Sequence, residues 1–137
     1  MKDVFPILLF LSLVCTITSG QKIDTVKYIS LEPYDFHLAW QKTDTAMLID
    51  VREYFEYKKS RIKDAVNIPS SGNMDMASDT IDKNTSLFIY CTTGYRAKKV
   101  AAKTADKGYR KVYNLDGGIK AWKKDGFPVD RRRLKGP

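Results

Sequence analysis

Apolar residues in this chain fall into two kinds of pattern that alternate from end to end. Short uninterrupted bursts are one kind: Met47-Leu48-Ile49-Asp50-Val51 and Ser86-Leu87-Phe88-Ile89-Tyr90 are apolar without alternation, as strands buried on both faces of a parallel sheet should be. Val26 to Ile29, Ala65 to Ile68 (closed by Pro69) and Val112 to Leu115 are weaker versions, bringing the predicted strands to five. Between the bursts, apolar positions recur at helical spacing. Ser30 is placed to cap a helix with Pro33 in its first turn and Phe36, Ala39 and Trp40 along it. A second helical segment begins near Arg52 and runs through Tyr57, and the polar stretch 70–84 holds a short helix around Met74 to Ile81. Ala97, Val100, Ala101, Thr104 and Ala105 form the clearest stripe, with Lys98, Lys99 and Lys103 off it and Gly108 as a stop. Asp116-Gly117-Gly118 then turns into a short helix carrying Ile119, Ala121 and Trp122. Strands alternating with helices in this way predict an α/β domain: a central, mainly parallel five-stranded sheet flanked by helices on both faces.

The first twenty residues break the pattern. Met1-Lys2-Asp3 precedes an almost wholly apolar run from Val4 to Val14, and small residues follow at Thr18 and Gly20. A short greasy segment ending in small residues predicts an export signal cut after Gly20. Pro6 and a run shorter than the roughly 20 residues needed to cross a bilayer argue against an anchor. The alternative is a membrane-anchored form lipidated at Cys15.

Composition adds two points. With 137 residues, 43% of them hydrophobic and 29% charged, the chain is one domain's worth of ordinary globular sequence. The charge is +8; loss of residues 1–20 takes basic residues from 24 to 23 and acidic from 16 to 15, leaving it unchanged. The same loss removes Cys15, so the mature form keeps Cys91 alone, a thiol with no internal disulfide partner. Such a cysteine is either buried and inert or reactive.

Its neighbours favour the second. In an open parallel sheet the carboxyl ends of the strands form the ligand edge, and the helix N-termini that follow offer N–H groups and partial positive charge. Cys91 stands where the strongest strand meets the strongest helix. Cys91-Thr92-Thr93-Gly94-Tyr95-Arg96 can curl so that amides point at the sulfur, with Gly94 supplying backbone freedom, Thr92 and Thr93 hydroxyl donors, Arg96 a positive charge to bind an anionic substrate or support the loop, and Tyr95 a rim. Cysteines in such settings fall from a free pKa of about 8.5 toward roughly 3.5 to 7.5.

Along nearly the whole mature length the sequence resembles the rhodanese family. Asp50-Val51-Arg52-Glu53 with Glu56-Tyr57, Ile62, Ala65 and Asn67-Ile68-Pro69 is similar to the family's first signature. Leu87 to Tyr90 with Cys91, Gly94 and Arg96 is similar to its active-site strand and loop, and Leu115 to Ile119, Ala121-Trp122 and Gly126-Phe127-Pro128-Val129 to its closing segment. The resemblance implies a rhodanese-like domain over 21–130, behind a signal at 1–20 and before a basic tail at 131–137. It also implies sulfur transfer: Cys91 takes a sulfane sulfur from a donor such as thiosulfate, holds it as a persulfide and passes it to a thiophilic acceptor, a thiol or cyanide. The alternative is a low-turnover or non-catalytic persulfide carrier or binding module. Related cysteine phosphatases space the cysteine and arginine one residue further apart, so the shorter loop here suits a single sulfur atom. Two departures stand out. Ser60-Arg61 replaces a common Gly-His pair, and the loop's sole basic residue is Arg96, which leaves less charge for a doubly charged thiosulfate.

Other polar residues are read as scaffold. Asp50, Arg52 and Glu56 form a buried polar support tying the second strand's end to the active edge, since buried charges persist when paired. His37 has no second histidine with which to build a metal site, so neither metal nor cofactor is expected. The tail is expected to be solvated. The expected partners are a small anionic sulfur donor and a thiol or cyanide acceptor, with no nucleic acid, no membrane unless Cys15 is lipidated, and a monomeric state. The expected location is outside the cytoplasm, periplasmic or secreted.

Overall fold

The computed structural model describes residues 27–134. The expectations for the signal segment, Cys15 and Val26, and for residues 135–137 of the tail, lie outside the described residues. Among the described residues five strands and five helices alternate: β1 (Ile29–Leu31), α1 (Pro33–Lys42), β2 (Ala46–Asp50), α2 (Tyr54–Lys59), β3 (Val66–Asn67), α3 (Met74–Thr80), β4 (Ser86–Tyr90), α4 (Tyr95–Asp106), β5 (Val112–Leu115) and α5 (Gly118–Lys124). The strands form one sheet in the order β1-β5-β4-β2-β3, and every pairing in it is parallel.

β4 lies at the centre, registered with β2 from Ala46↔Ser86 to Asp50↔Tyr90 and with β5 from Leu87↔Val112 to Ile89↔Asn114. Its side chains alternate between two cores. Leu87, Ile89 and Cys91 join Ile49, Val51, Met74 of α3 and Ala97, Val100, Ala101 and Ala105 of α4. Phe88 and Tyr90 face the opposite way, into a cluster with Phe36 of α1, Leu48, Leu115, and Ile119 and Trp122 of α5. Helices therefore cover both faces, which is why β4 has no polar side. All five of its residues are buried.

Element boundaries depart from expectation where the apolar pattern is weak. β1 begins at Ile29 and includes Ser30, whose hydroxyl oxygen accepts from Asn114 Nδ2 (3.0 Å) instead of capping a helix; Glu32 is the N-cap and Pro33 opens α1. α2 starts at Tyr54, not Arg52, because the Arg52 side chain folds back onto Asp50 and Glu53 takes the cap position, its N–H donating to Glu56 Oε2 (3.1 Å). The chain's later end is fastened to the body through Arg61, which exchanges two backbone hydrogen bonds with Asp130 (3.0 and 2.7 Å) and pairs with its carboxylate at 3.1 Å. Arg132 grips the same carboxylate, so the start of the tail is tied down as well as solvated. Among the described residues no helix is long and apolar enough to cross a membrane.

Candidate active site

The sheet order sets the position of the site. From β4 the chain moves outward to β5, while from β2 it moves to β3 on the other side, so the carboxyl ends of β2 and β4 flank the point where the winding direction changes. Ligands of open parallel sheets bind at that point. The first residue past β4 is Cys91.

Cys91 is fully buried, and its sulfur sits under the start of α4. The N–H of Gly94 reaches Sγ at 3.1 Å and that of Ala97 at 3.4 Å. Gly94 is the N-cap of α4 with φ +91°, a conformation that an L side chain adopts only with strain, and a Cβ there would press on the Gly117 nitrogen at 3.2 Å and the Leu115 oxygen at 3.3 Å. Of the loop amides expected to curl inward, that of Gly94 meets the sulfur; the second donor, Ala97, lies one residue past the loop, in α4.

The loop is also held from behind. The carbonyls of Cys91 and Thr92 accept from the N–H groups of Ile119 (2.9 Å) and Lys120 (3.1 Å), in the first turn of α5. Gly118 makes that docking possible: a Cβ on it would lie 2.5 Å from the Cys91 oxygen and 2.6 Å from the Thr92 carbonyl. Lys98 of α4 pairs with Asp116 at 2.8 Å across the same junction. Read from the sequence, Asp116-Gly117-Gly118 is a turn; that it braces the cysteine loop is visible only in three dimensions.

The expected polar support separates into two units. Asp50 and Arg52 form a buried pair at the end of β2: Arg52 Nη2 donates to Asp50 Oδ2 at 2.7 Å and to the Ser60 carbonyl at 2.6 Å, while Asn67 Nδ2 donates to the Asp50 and Arg52 carbonyls. Glu56 stands apart from that pair, at the loop. Its carboxylate takes both ends of the Arg96 guanidinium, Nη1 to Oε2 and Nη2 to Oε1, each at 3.0 Å. The Thr92 hydroxyl donates to Oε1 at 2.9 Å and accepts from Arg96 Nη2 at 3.1 Å. The Arg96 guanidinium, with help from Thr92, lowers the Glu56 pKa from its usual value near 4.5 to about 2, and Glu56 in turn raises that of Arg96. Thus Thr92 and Arg96, expected to face a substrate, are turned toward Glu56, while Thr93 and Tyr95 are exposed at the rim with Lys99 Nζ 4.5 Å from the Tyr95 ring centre.

His37 lies away from the loop, on α1, its ring packed 5.4 Å from Trp122 and 5.2 Å from Phe127. A cavity of about 120 Å³ opens between the stretch after β3, the start of α3 and the far turns of α4; it is lined by Ser70, Met74, Lys103 and their neighbours and by no residue of the cysteine loop.

A five-stranded parallel sheet covered by helices on both faces, with one cysteine under a helix N-terminus at its switch point, places the protein among the open α/β domains. A sequence model of the rhodanese-like domain matches residues 34–125, and the chain belongs to that family. A sulfurtransferase of Allochromatium vinosum is 33% identical over 87 residues, covering 64% of this chain and 80% of that protein. A tRNA uridine(34) hydroxylase of Erwinia tasmaniensis is 34% identical over 100 residues, 66% of this chain but 28% of its own length, so the chain spans only about a quarter of such hydroxylases. Among solved structures, a rhodanese-related protein of Thermoplasma volcanium superposes with a TM-score of 0.67 at 25% identity, over 77% of this chain and all of that one. A rhodanese-like domain protein of Staphylococcus aureus gives 0.59 at 26% identity, over 74% and 98%.

Proposed function

We propose that the protein is a sulfurtransferase that carries a sulfane sulfur as a persulfide on Cys91. The observation that carries this reading is the pair of N–H groups from Gly94 and Ala97 directed at Cys91 Sγ, at the end of the central strand. Donors so placed stabilise negative charge on sulfur, both on the attacking thiolate and on the persulfide that replaces it. With thiosulfate as the simplest donor, the thiolate attacks the outer sulfur, a Cys91 S–S bond forms, and the donor's S–S bond breaks with its electron pair leaving on sulfite. A thiol or cyanide then takes the outer sulfur and the thiolate returns. Splitting one transfer into two steps through a covalent intermediate is the advantage of a cysteine nucleophile. The sulfurtransferase relative supports the reading. Its companion proposal is that the domain works as a monomer outside the cytoplasm, which N-terminal sequencing of the cellular protein and its fractionation test.

The decisive experiment pairs thiocyanate production from thiosulfate and cyanide with intact-mass measurement on wild type and Cys91→Ser. Ser fills a similar space and still accepts from the loop amides, but cannot form a persulfide. Wild type gains one sulfur atom; the variant stays folded, gains none and loses transfer. Equal turnover by the two, or no added sulfur in wild type from thiosulfate or any persulfide, would leave a docking module in place of an enzyme.

A further inference from the structure

Three cations around Cys91 are already held in ion pairs. Arg96 is the loop's sole basic residue, and both of its terminal nitrogens are bound by Glu56. Lys98 is paired with Asp116, and Arg52 is buried against Asp50. Lys99 is exposed and lies over the Tyr95 ring. With its pKa near 2, Glu56 keeps the pair ionised at neutral pH, so Glu56 and Arg96 together contribute no net charge. The Thr92 hydroxyl hydrogen is also spent on Glu56. What the loop offers an incoming donor is the Gly94 and Ala97 amides, and these face the sulfur atom, not a distal sulfonate.

We propose that Glu56, by neutralising Arg96, sets the donor class: a monoanionic organic persulfide in preference to dianionic thiosulfate. The proposal rests on the sulfur-transfer reading and specifies its substrate. Its basis is a balance of charge. Thiolate plus thiosulfate brings three negative charges together and yields the Cys91 persulfide anion plus sulfite dianion. Thiolate plus a persulfide anion, R–S–S⁻, brings two, and yields the Cys91 persulfide anion plus the thiolate R–S⁻. In both cases one S–S bond forms, one breaks, and the bonding pair leaves on the departing group. With Arg96 neutralised by Glu56, the loop offers no counter-ion for a donor's second negative charge, and this disfavours the more highly charged donor.

The test measures the second-order rate at which Cys91 gains sulfur, by quenched intact mass, with cysteine persulfide, whose ammonium and carboxylate cancel to leave a monoanion, and with thiosulfate. Wild type loads faster from the persulfide. Glu56→Gln keeps the shape and an acceptor for Arg96 but releases its charge. A unit charge about 6 Å from a dianion in a water-like dielectric accelerates thiosulfate loading about tenfold, and loading by a monoanion about threefold. The double variant Glu56→Gln/Arg96→Gln restores neutrality and returns the ratio toward wild type. Melting curves show that each variant is folded. A wild type that loads faster from thiosulfate, or a folded Glu56→Gln whose thiosulfate rate is unchanged or lower, overturns the proposal and leaves sulfur transfer standing; the wild-type comparison needs no variant to fold. Failure of both donors to load wild type overturns sulfur transfer itself, and the donor assignment with it.

Discussion

Replacing Gly118 by Ala is expected to be strongly destabilising, and three glycines together show why. Gly72 has open space around its missing side chain and an ordinary φ, so Gly72→Ala removes only unfolded-state freedom and is neutral or stabilising by up to about 1 kcal/mol. Gly108 also has open space but φ +93°, so its alanine variant bears the left-handed strain alone, about 1–2 kcal/mol. Gly118 combines φ +61° with a Cβ position 2.5 Å from the Cys91 oxygen and 2.6 Å from the Thr92 carbonyl. Those neighbours are backbone and cannot rotate away. Either α5 stays and the overlap costs about 1–3 kcal/mol, or it retreats and loosens the hydrogen bonds from Ile119 and Lys120, each worth about 0.5–1.5 kcal/mol. Adding strain to one of these outcomes gives a loss of roughly 2–5 kcal/mol. Urea unfolding reads it directly, as a midpoint drop of roughly 2 M for a domain of this size. If Gly118→Ala falls within about 1 kcal/mol of Gly108→Ala, the close approach of α5 to the loop is not a constraint and the bracing argument fails.

Two further outcomes follow from the charged pairs. Asp50→Asn leaves the buried Arg52 without its counter-charge and should cost about 3–5 kcal/mol in urea unfolding; a loss below about 1 kcal/mol would mean that water reaches the pair. Glu56, whose carboxyl is held near 2 when folded against a usual value near 4.5, contributes stability that is complete above about 4.5 and fades as pH falls toward 2. Urea midpoints across that window should therefore fall more steeply in wild type than in Glu56→Gln, and parallel slopes would contradict the assignment.

The parts of this architecture that could be read in advance are those where one short segment determines its own environment. β4 and β5 occur over the residues expected, and α4 carries its buried stripe at Ala97, Val100, Ala101, Thr104 and Ala105, because burial on two faces or one leaves a clear period. The Asp50–Arg52 pair was legible for a similar reason, its partners being two residues apart. β1 was misplaced because it is a three-residue edge strand, with Ile29 and Ser30 exposed, and its position is set by pairing with β5 some eighty residues later. The partner of Glu56 was hidden for the same cause. The segment around it reads as helical, but nothing local indicates that its carboxylate reaches forty residues ahead to Arg96. Gly117-Gly118 signalled a turn without showing what the turn approaches.

The bracing of the loop by α5 also fixes when the thiol acquires its surroundings. A ribosome or an unfolded chain presents residues in order, and Cys91 with the start of α4 precedes the Ile119 and Lys120 amides by more than a helix and a strand. Until β5 has slotted between β4 and β1, α5 has nowhere to dock, because Ile119 and Trp122 pack against Phe36, Phe88 and Leu115 on the finished face. Pairings between such distant segments are slow to form. A nascent or partly refolded molecule in which α5 has not docked lacks these braces, and its cysteine loop is expected to be more open to oxidants and stray disulfide exchange than in the finished fold.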